Sequence, residues 1–288
     1  MRIPVRDLVF DALAEGPVDG ELVLLLHGFP EAGIEFEAQL HALAAAGYRA
    51  VAPDQRGYSP DARPDDIGEY AMGYLVADVL GIADALGRDR FDLVGHDWGG
   101  AVAWVLATRA PERVRTLTVL STPHFAAFSA QLADSASDQA QRSSYLTVLS
   151  APDAATRVLA DNMAILRQLL GNVPAAHRAL YLEQLGTPEA IGAALHWYRA
   201  SGLRPGSGGS GAGSAPAVSP VAVPTLYVWG TEDGAFSRAA AERTAAFVSG
   251  PYEFEVLEGI GHWLPELAAD TVNALLLRHL ANGELPGG

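Results

Sequence analysis

The chain has 288 residues with no cysteine and no lysine, and its 19 basic residues are outnumbered by 34 acidic ones, giving a formal net charge of −15. The missing cysteine excludes disulfides, thiolate metal sites and a cysteine nucleophile, and the missing lysine excludes Schiff-base chemistry and a P-loop lysine. The acidic balance disfavours nucleic acids and anionic membranes as partners, so we expect a small neutral hydrophobic substrate.

The N-terminal segment and the hydropathy pattern give no sign of targeting. Arg2, Arg6, Asp7 and Asp11 are spread through the first residues, so this segment does not resemble a signal peptide. No apolar run approaches the roughly 18 residues that a membrane-spanning helix needs. The histidines have no metal-binding spacing such as H-E-x-x-H. We therefore expect a cytoplasmic monomer or homodimer that binds neither a metal nor another cofactor.

Short apolar runs alternate with amphipathic stretches over the two ends of the chain. The pattern predicts strands over 22–26, 48–52, 91–94, 114–120, 225–229 and 252–257, and helices over 35–46, 70–86, 99–108, 238–248 and 264–280. The run over 22–26 is apolar throughout, which is typical of a buried parallel strand. Strands that alternate with helices at short connections predict an α/β fold with a mostly parallel sheet flanked by helices.

The pattern changes in the middle of the chain. Residues 124–205 contain no predicted strand, only helical segments rich in Ala, Leu and Gln. A Gly/Ser/Pro-rich stretch over 206–221 follows, and its composition is typical of a linker. We therefore predict a core in two parts, residues 1–123 and 222–288, that is interrupted by a helical cap over 124–205.

A glycine-rich motif, Gly95-His96-Asp97-Trp98-Gly99-Gly100, lies between a predicted strand and a predicted helix. Its spacing resembles the G-x-S-x-G nucleophile elbow of the α/β-hydrolases, with Asp97 in the place of serine. In such a sharp turn the central residue has a strained backbone, and the glycines let the chain pass closely. The resemblance implies the α/β-hydrolase fold with Asp97 as nucleophile. Taken alone, Asp97 is also compatible with a helix N-cap.

An aspartate nucleophile favours a different reaction from a serine. Its carboxylate, with a reference pKa of about 3.9, is ionised at neutral pH and needs no base before it attacks. Attack on an ester or amide yields a mixed anhydride and gains little, whereas displacement at a saturated carbon yields an ordinary alkyl ester. Water must then cleave that ester, which requires a general base and an oxyanion hole.

Two loops supply candidates for the remaining members of a triad. In α/β-hydrolases the acid and then the histidine follow the nucleophile along the chain. Asp233 follows the predicted strand over 225–229, and His262 follows the predicted strand over 252–257. The resemblance implies that His262 activates water while Asp233 orients and stabilises the imidazole. Glu232 is the alternative acid.

The motif His27-Gly28-Phe29-Pro30 follows the first apolar strand. In this fold the loop at this place supplies one oxyanion-hole N–H group, and the residue after the nucleophile supplies the other. The resemblance assigns these donors to the backbone N–H groups of Phe29 and Trp98. A plain strand-ending turn is the alternative interpretation of this motif alone.

These motifs together look like those of the epoxide hydrolases, a branch related to the haloalkane dehalogenases. The motif D-Q-R-G-Y-S over 54–59 and the segment L-H-W-Y-R-A over 195–200 belong to the same resemblance. Opening an epoxide creates an alkoxide, and epoxide hydrolases resemble one another in using two cap tyrosines to protonate it. Tyr198 is similar to the second of these tyrosines, and Tyr145 matches the first more loosely. Tyr181 and Tyr74 are the alternatives.

The leaving group separates the alternatives. A haloalkane or haloacid dehalogenase would use the same triad but needs N–H donors to hold halide, for which Trp98 and Trp197 are candidates. Phe29 stands where many dehalogenases have asparagine, which disfavours that class. We expect Phe29, Trp98, Trp197 and His124 to contact the substrate. We therefore predict an epoxide hydrolase, with a dehalogenase as the alternative and a non-catalytic ligand-binding α/β-hydrolase as the less favoured third.

Overall fold

The computed structural model describes residues 1–204 and 219–283. Of the linker predicted over 206–221, all but the last three residues lie outside these ranges. The boundaries predicted for the cap and for the two parts of the core stay predictions.

Eight strands of the described residues form one sheet in the order β1-β2-β4-β3-β5-β6-β7-β8. They are β1 (Arg2–Val5), β2 (Leu8–Glu15), β3 (Leu22–Leu26), β4 (Arg49–Pro53), β5 (Phe91–His96), β6 (Val114–Leu120), β7 (Thr225–Gly230) and β8 (Tyr252–Leu257). From β4 to β8 the neighbours are parallel, while β2 is antiparallel to both β1 and β4. The predicted α/β fold with a mostly parallel sheet is confirmed.

The first two strands are absent from the sequence-based prediction. In β1 exposed and buried side chains alternate over only four residues, and β2 is mostly half-buried. Both strands lie at the antiparallel end of the sheet, where one face meets solvent and the apolar pattern is correspondingly weak. The six strands that the pattern predicts are all found at their predicted places; β3, β5 and β7 are buried along their whole length, whereas β8 is half-buried throughout.

Strand β3 explains why a continuous apolar run forms the centre of this fold. Leu22, Leu24 and Leu26 pack into the core on one face of the sheet. Val23 and Leu25 pack into the core on the other face, because successive side chains of a strand point in opposite directions. All five residues of β3 are therefore apolar and buried.

Helices cover both faces of the sheet. They are α1 (Glu37–Ala45), α2 (Met72–Ala85), α3 (Asp97–Arg109), α4 (Phe125–Ala133), α5 (Gln139–Arg142), α6 (Tyr145–Leu149), α7 (Ala154–Leu169), α8 (Ala175–Gln184), α9 (Pro188–Ser201), α10 (Arg238–Arg243), α11 (Leu264–Leu267) and α12 (Ala269–Gly283). Helices α2 and α3 pack on one face, and α1 and α12 on the other. None of the helices in the described ranges has the length and apolar character needed to cross a membrane.

Two predicted helices differ from the structure. The helix predicted over 264–280 is two helices, α11 and α12, that are separated at Ala268. The helix predicted over 238–248 ends at Arg243 and continues as a 3-10 turn, Thr244–Phe247. Three further 3-10 turns, Gly33–Phe36, Ile67–Tyr70 and Pro111–Arg113, precede elements of the core.

In the part that the structure describes, the segment between β6 and β7 contributes helices and none of the eight strands of the sheet. Helices α4 to α9 lie there, and α7 is interrupted by non-helical backbone at residues 160–163. The Trp197 side chain of α9 donates to the backbone carbonyl of Arg56 at 2.8 Å. Arg56 is in turn buried against Asp78 of α2, with nitrogen–oxygen distances of 2.6 and 2.8 Å. This chain of contacts ties α9 to the core.

Candidate active site

The candidate residues meet at one edge of the sheet. Asp97 follows β5, Asp233 follows β7, His262 follows β8, and Phe29 follows β3. All four strands are parallel, so their carboxyl ends lie at the same edge, which is where open α/β sheets bind ligands. Residues more than 200 positions apart in sequence are brought together in this way.

The turn from β5 into α3 has the geometry of a nucleophile elbow. Asp97 has a φ of 47°, in the left-handed region that non-glycine residues rarely adopt. A Cβ atom on Gly99 would lie 1.9 Å from the carbonyl oxygen of Leu26, and one on Gly28 would lie 2.3 Å from the Asp97 Cβ. Only glycine fits at either position. The side chain of Asp97 is thereby presented at the N-terminus of α3, where the helix dipole favours a negative charge.

The histidine lies between the two aspartates. His262 Nε2 is 3.6 Å from Asp97 Oδ2, and His262 Nδ1 is 3.1 Å from Asp233 Oδ2. Asp233 is fully buried, whereas the alternative acid, Glu232, is exposed. The structure thus brings Asp233, and not Glu232, to the imidazole.

Asp233 is held by four donors. Its Oδ1 atom accepts from the backbone N–H groups of Ala235 at 2.7 Å and Phe236 at 2.9 Å. Its Oδ2 atom accepts from the hydroxyl of Ser121 at 2.5 Å and from His262. Burial opposes ionisation of Asp233, but attraction to His262 and these hydrogen bonds outweigh it and lower its pKa. Asp233 is therefore a fixed, ionised partner for the histidine.

The balance between burial and neighbouring charges also sets the protonation of His262 and Asp97. Burial disfavours the imidazolium of His262, but the adjacent Asp233 and Asp97 outweigh it and raise the pKa of His262 to about 9. Burial also disfavours the carboxylate of Asp97, but its contacts with His262, the charge of His96 and the Phe29 N–H lower its pKa. At neutral pH the site of the free protein therefore holds an ionised Asp97 beside a protonated His262.

A backbone N–H group donates to the side chain of Asp97. The backbone N–H of Phe29 donates to Asp97 Oδ1 at 2.9 Å. The Phe29–Pro30 peptide bond is cis. Trp98 is the second residue of α3, so its N–H is one of the free donors at the start of that helix. Both N–H groups predicted for the oxyanion hole are therefore on elements next to the Asp97 carboxylate.

Aromatic side chains from the core and from the helices after β6 surround this carboxylate. Tyr198 of α9 packs edge-on against Phe29 and Trp98, with ring centroids 5.2 and 5.3 Å apart. The Tyr145 ring, at the start of α6, lies 6.3 Å from the Tyr198 ring. Burial and then the negative charge of Asp97 raise the pKa of both tyrosines. Both phenols therefore keep their protons in the surroundings of Asp97.

The alternative tyrosines lie elsewhere. Tyr181 donates its hydroxyl to Glu266 at 3.0 Å, and Tyr74 is on α2 with 46% of its surface exposed. Neither has a ring contact with Phe29 or Tyr198 among the described residues. Of the four tyrosines weighed from the sequence, Tyr145 and Tyr198 are the two that the structure brings together beside Asp97.

Two residues expected in the pocket have other contacts. The Trp197 ring lies 5.9 Å from that of Trp98, but its indole N–H is already bonded to the Arg56 carbonyl. His124 stacks on Phe247 with 4.8 Å between ring centroids, and its Nδ1 accepts from the N–H of Ala126, capping α4. Trp197 therefore contributes apolar surface rather than a donor, and the contacts of His124 are those of a packing residue.

Sequence reasoning missed a buried acidic group behind the histidine, which we call the carboxyl cluster: Glu31, Glu35 and Glu266. His96 Nδ1 lies 3.0 Å from Glu31 and 3.3 Å from Glu35, and His96 Nε2 donates to the His262 carbonyl at 2.9 Å. Burial and then the neighbouring Glu35 raise the pKa of Glu31 to about 8. The signal was present in the sequence, since two glutamates follow H-G-F-P within six residues.

Glu31, Glu35 and His96 also form a group whose ligand atoms lie within 4.8 Å of one another, a spacing compatible with a metal ion. Burial lowers the pKa of His96, but the attraction of Glu31 outweighs it and brings that pKa to about 9. A protonated imidazole cannot ligate a metal. A metal ion at this group would therefore have to displace the proton of His96.

Comparison with known proteins identifies the family. Residues 21–269 match the family described as alpha/beta hydrolase fold. The AB hydrolase superfamily protein YfhM of Bacillus subtilis is 35% identical to this chain over 97% of each protein. Epoxide hydrolase A of Mycobacterium tuberculosis is 31% identical over 94% of this chain and 93% of that protein.

Solved structures of epoxide hydrolases are also similar to this chain over nearly its whole length. A structure from the novel epoxide hydrolases found in metagenomes from hot environments is 28% identical, with a TM-score of 0.87 over 97% of each chain. Epoxide Hydrolase A from Mycobacterium thermoresistibile is 25% identical, with a TM-score of 0.84 over 99% of each chain. The chain belongs to the α/β-hydrolase fold family, as the motif around Asp97 predicts.

Proposed function

We propose that this chain hydrolyses small neutral epoxides to vicinal diols through a covalent ester on Asp97. One observation carries the proposal: two protonated phenols, of Tyr145 and Tyr198, lie beside an ionised carboxylate that the elbow presents. A carboxylate opposite proton donors suits a substrate whose leaving group is an alkoxide. Relatives named epoxide hydrolases align over nearly the whole chain, which supports the same reaction.

In the first half reaction, Asp97 attacks one oxirane carbon. The carbon–oxygen bond breaks, its electron pair stays on the oxygen, and Tyr198 or Tyr145 supplies the proton. The product is a hydroxyalkyl ester of Asp97 with one tyrosine left as phenolate. The two phenols are needed here because an unprotonated alkoxide is a poor leaving group at neutral pH.

In the second half reaction, His262, protonated in the free protein, first loses its proton to solvent because esterification has removed the charge of Asp97. It then takes a proton from water, and the resulting hydroxide adds to the ester carbonyl. The N–H groups of Phe29 and Trp98 hold the oxyanion, and Asp233 stabilises the imidazolium. Collapse expels the second diol oxygen, which takes the proton from His262. The proton left on the Asp97 carboxyl group returns to the phenolate and His262 regains a proton from solvent, so the site is restored with one water consumed.

The dehalogenase alternative has less support. The indole N–H of Trp197, the candidate cap donor for halide, is already bonded to Arg56, and the Phe29 side chain has no donor. The non-catalytic alternative does not account for an imidazole between two buried carboxylates, with His262 Nε2 3.6 Å from Asp97 Oδ2 and Nδ1 3.1 Å from Asp233 Oδ2. The two-part core, the cap, the cytoplasmic location and the choice between monomer and homodimer stay predictions.

The test is the intact mass of a His262→Gln variant after incubation with an alkyl epoxide that carries a distant terminal bromide. Without its base the ester should persist, so we expect an adduct that retains bromine. An adduct that has lost bromine but kept the epoxide would establish the dehalogenase instead. The Asp97→Asn/His262→Gln double variant is the matched control and should gain no mass.

A further inference from the structure

The two residues after β6 contact all three members of the triad. The Ser121 hydroxyl lies 2.5 Å from Asp233 Oδ2 and 3.0 Å from His262 Nδ1. The hydroxyl of the next residue, Thr122, donates to the backbone carbonyl of Asp97 at 2.8 Å. The strand β6 is therefore the common support of nucleophile, base and acid, although it carries none of them.

Ser121 has an unusual backbone for a serine. Its φ is 70°, in the left-handed region, and its side chain is fully buried. The conformation is held from both sides, because the Ser121 N–H donates to the Val228 carbonyl at 2.8 Å and the Tyr227 hydroxyl donates to the Ser121 carbonyl at 2.9 Å. A strained residue that is fixed this firmly at an active site indicates that its side-chain direction matters.

The hydrogen bonds around Asp233 show how the Ser121 side chain affects the pair formed by Asp233 and His262. Asp233 Oδ1 is occupied by the two backbone N–H groups of Ala235 and Phe236. Asp233 Oδ2 is shared by the Ser121 hydroxyl and by Nδ1 of His262. Since the serine proton neutralises part of the charge on that oxygen, it weakens the pull of Asp233 on the imidazolium. The Ser121 oxygen also lies 3.0 Å from Nδ1 of His262, but as a neutral acceptor it stabilises the imidazolium less than the carboxylate does.

We propose that Ser121 is a positioning residue for the water-activating step, which fixes the Asp233–His262 pair and limits the basicity of His262. The expected effect on ester hydrolysis rests on the proposed function, whereas the expected effect on the pKa of His262 does not. Without the hydroxyl, Asp233 holds the imidazolium more strongly, so His262 becomes neutral, and able to act as a base, only at higher pH. The alkylation step, which uses Asp97 and the tyrosines, does not depend on this contact.

The first test needs no substrate. The pKa of His262 is followed by NMR in protein labelled with 15N-histidine, with the His262→Gln variant to assign the signal. Ser121→Ala should raise the pKa of His262 by about half a unit to one unit. Ser121→Gly removes the same hydroxyl and accepts the positive φ without strain, so it should give the same shift if the alanine variant is unstable. An unchanged or lowered pKa in both variants would overturn the proposal.

Thr116 supplies a matched control, because it lies on β6, the strand that Ser121 follows. The Thr116 hydroxyl donates to buried Asp92 at 2.8 Å, so Thr116→Val deletes an equivalent bond outside the site. It should lower stability without moving the pKa of His262. An equal shift in this control would mean that loss of stability, and not the hydroxyl of Ser121, is responsible.

The second test is kinetic, with styrene oxide as probe in single-turnover experiments. In Ser121→Gly the acidic limb of the ester-hydrolysis rate should move to higher pH by the same amount as the NMR shift, while the alkylation rate changes less than about twofold. Equal slowing of both steps would make Ser121 merely structural. If the pKa of His262 shifts in the Ser121 variants but the wild type turns over no epoxide, the role of Ser121 in setting that pKa stands and the proposed function is rejected.

Discussion

His262 Nε2 lies 3.6 Å from Asp97 Oδ2, so the candidate base is held by the candidate nucleophile. In the free protein the negative charge of Asp97 helps to keep His262 protonated, with a pKa of about 9. Conversion of Asp97 to a neutral ester removes that charge. The ester intermediate would therefore lower the pKa of His262 and make the base available only when there is an ester to hydrolyse.

This relationship predicts the effect of Asp97→Asn, which copies the neutral ester without substrate. The pKa of His262 should fall by one unit or more, because a neighbouring negative charge is lost while Asp233 remains. NMR titration of 15N-labelled histidine measures it directly. A titration that superimposes on that of the wild type would show that Asp97 does not control the base.

Asp233→Asn should impair the second half reaction far more than the first. The variant loses the charge that stabilises the imidazolium and favours the wrong tautomer, for which a rate loss of about 10²- to 10⁴-fold is expected. The ester on Asp97 should then accumulate, which intact mass spectrometry during turnover of an epoxide would detect. Glu232→Gln, one residue away and exposed, is the matched control and should turn over normally. If the ester on Asp97 accumulates in Glu232→Gln and not in Asp233→Asn, Glu232 is the residue that supports His262.

Tyr198→Phe should slow alkylation by about 10²-fold and leave ester hydrolysis nearly unchanged. The phenol donates only while the epoxide opens, and Tyr145 remains as a second donor. Rapid-mixing measurements of tryptophan fluorescence can separate the two steps, because Trp98 lies 5.3 Å from the Tyr198 ring. Tyr74→Phe, with its exposed side chain, serves as the control. A variant in which both steps slow equally would contradict a role in proton donation.

The buried strands and the elbow could be predicted from the sequence because their causes are local. An apolar run such as Leu22–Leu26 has one stable environment, between two layers of helices. At the elbow, Gly99 leaves room for a carbonyl only 1.9 Å from where a Cβ would be, so the motif reflects local sterics. The order of Asp233 and His262 after their strands followed from the family resemblance, and the geometry agrees with it.

What the sequence did not reveal depends on contacts between distant parts of the chain. Ser121 is an ordinary serine in the sequence, and only the closing of β6 against β7 turns it toward Asp233 and His262. Glu266 is similar, because its burial beside Glu31 depends on α11 packing against the loop after β3. His124 was expected in the pocket from its position at the start of the helical segment, yet its ring packs against Phe247.

The carboxyl cluster predicts how stability depends on pH. The Glu266 side chain is 1% exposed, and burial followed by repulsion from Glu31 raises its pKa to about 8. The folded state therefore keeps a proton that the unfolded chain releases near pH 4.5. Stability from this group is full below that pH, falls as pH rises toward 8, and is level above it.

Glu266→Gln, which copies the protonated side chain, should remove part of this slope. Urea unfolding at several pH values between 5 and 8 measures it, and one fewer proton corresponds to about 1.4 kcal/mol per pH unit at most. Glu258→Gln is the matched control, because the Glu258 side chain is 80% exposed and its loss should leave the slope unchanged. If the Glu266→Gln protein loses stability with pH as steeply as the wild type, the proton is not held at Glu266, and the remaining pair of the cluster, Glu31 and Glu35, would have to carry it.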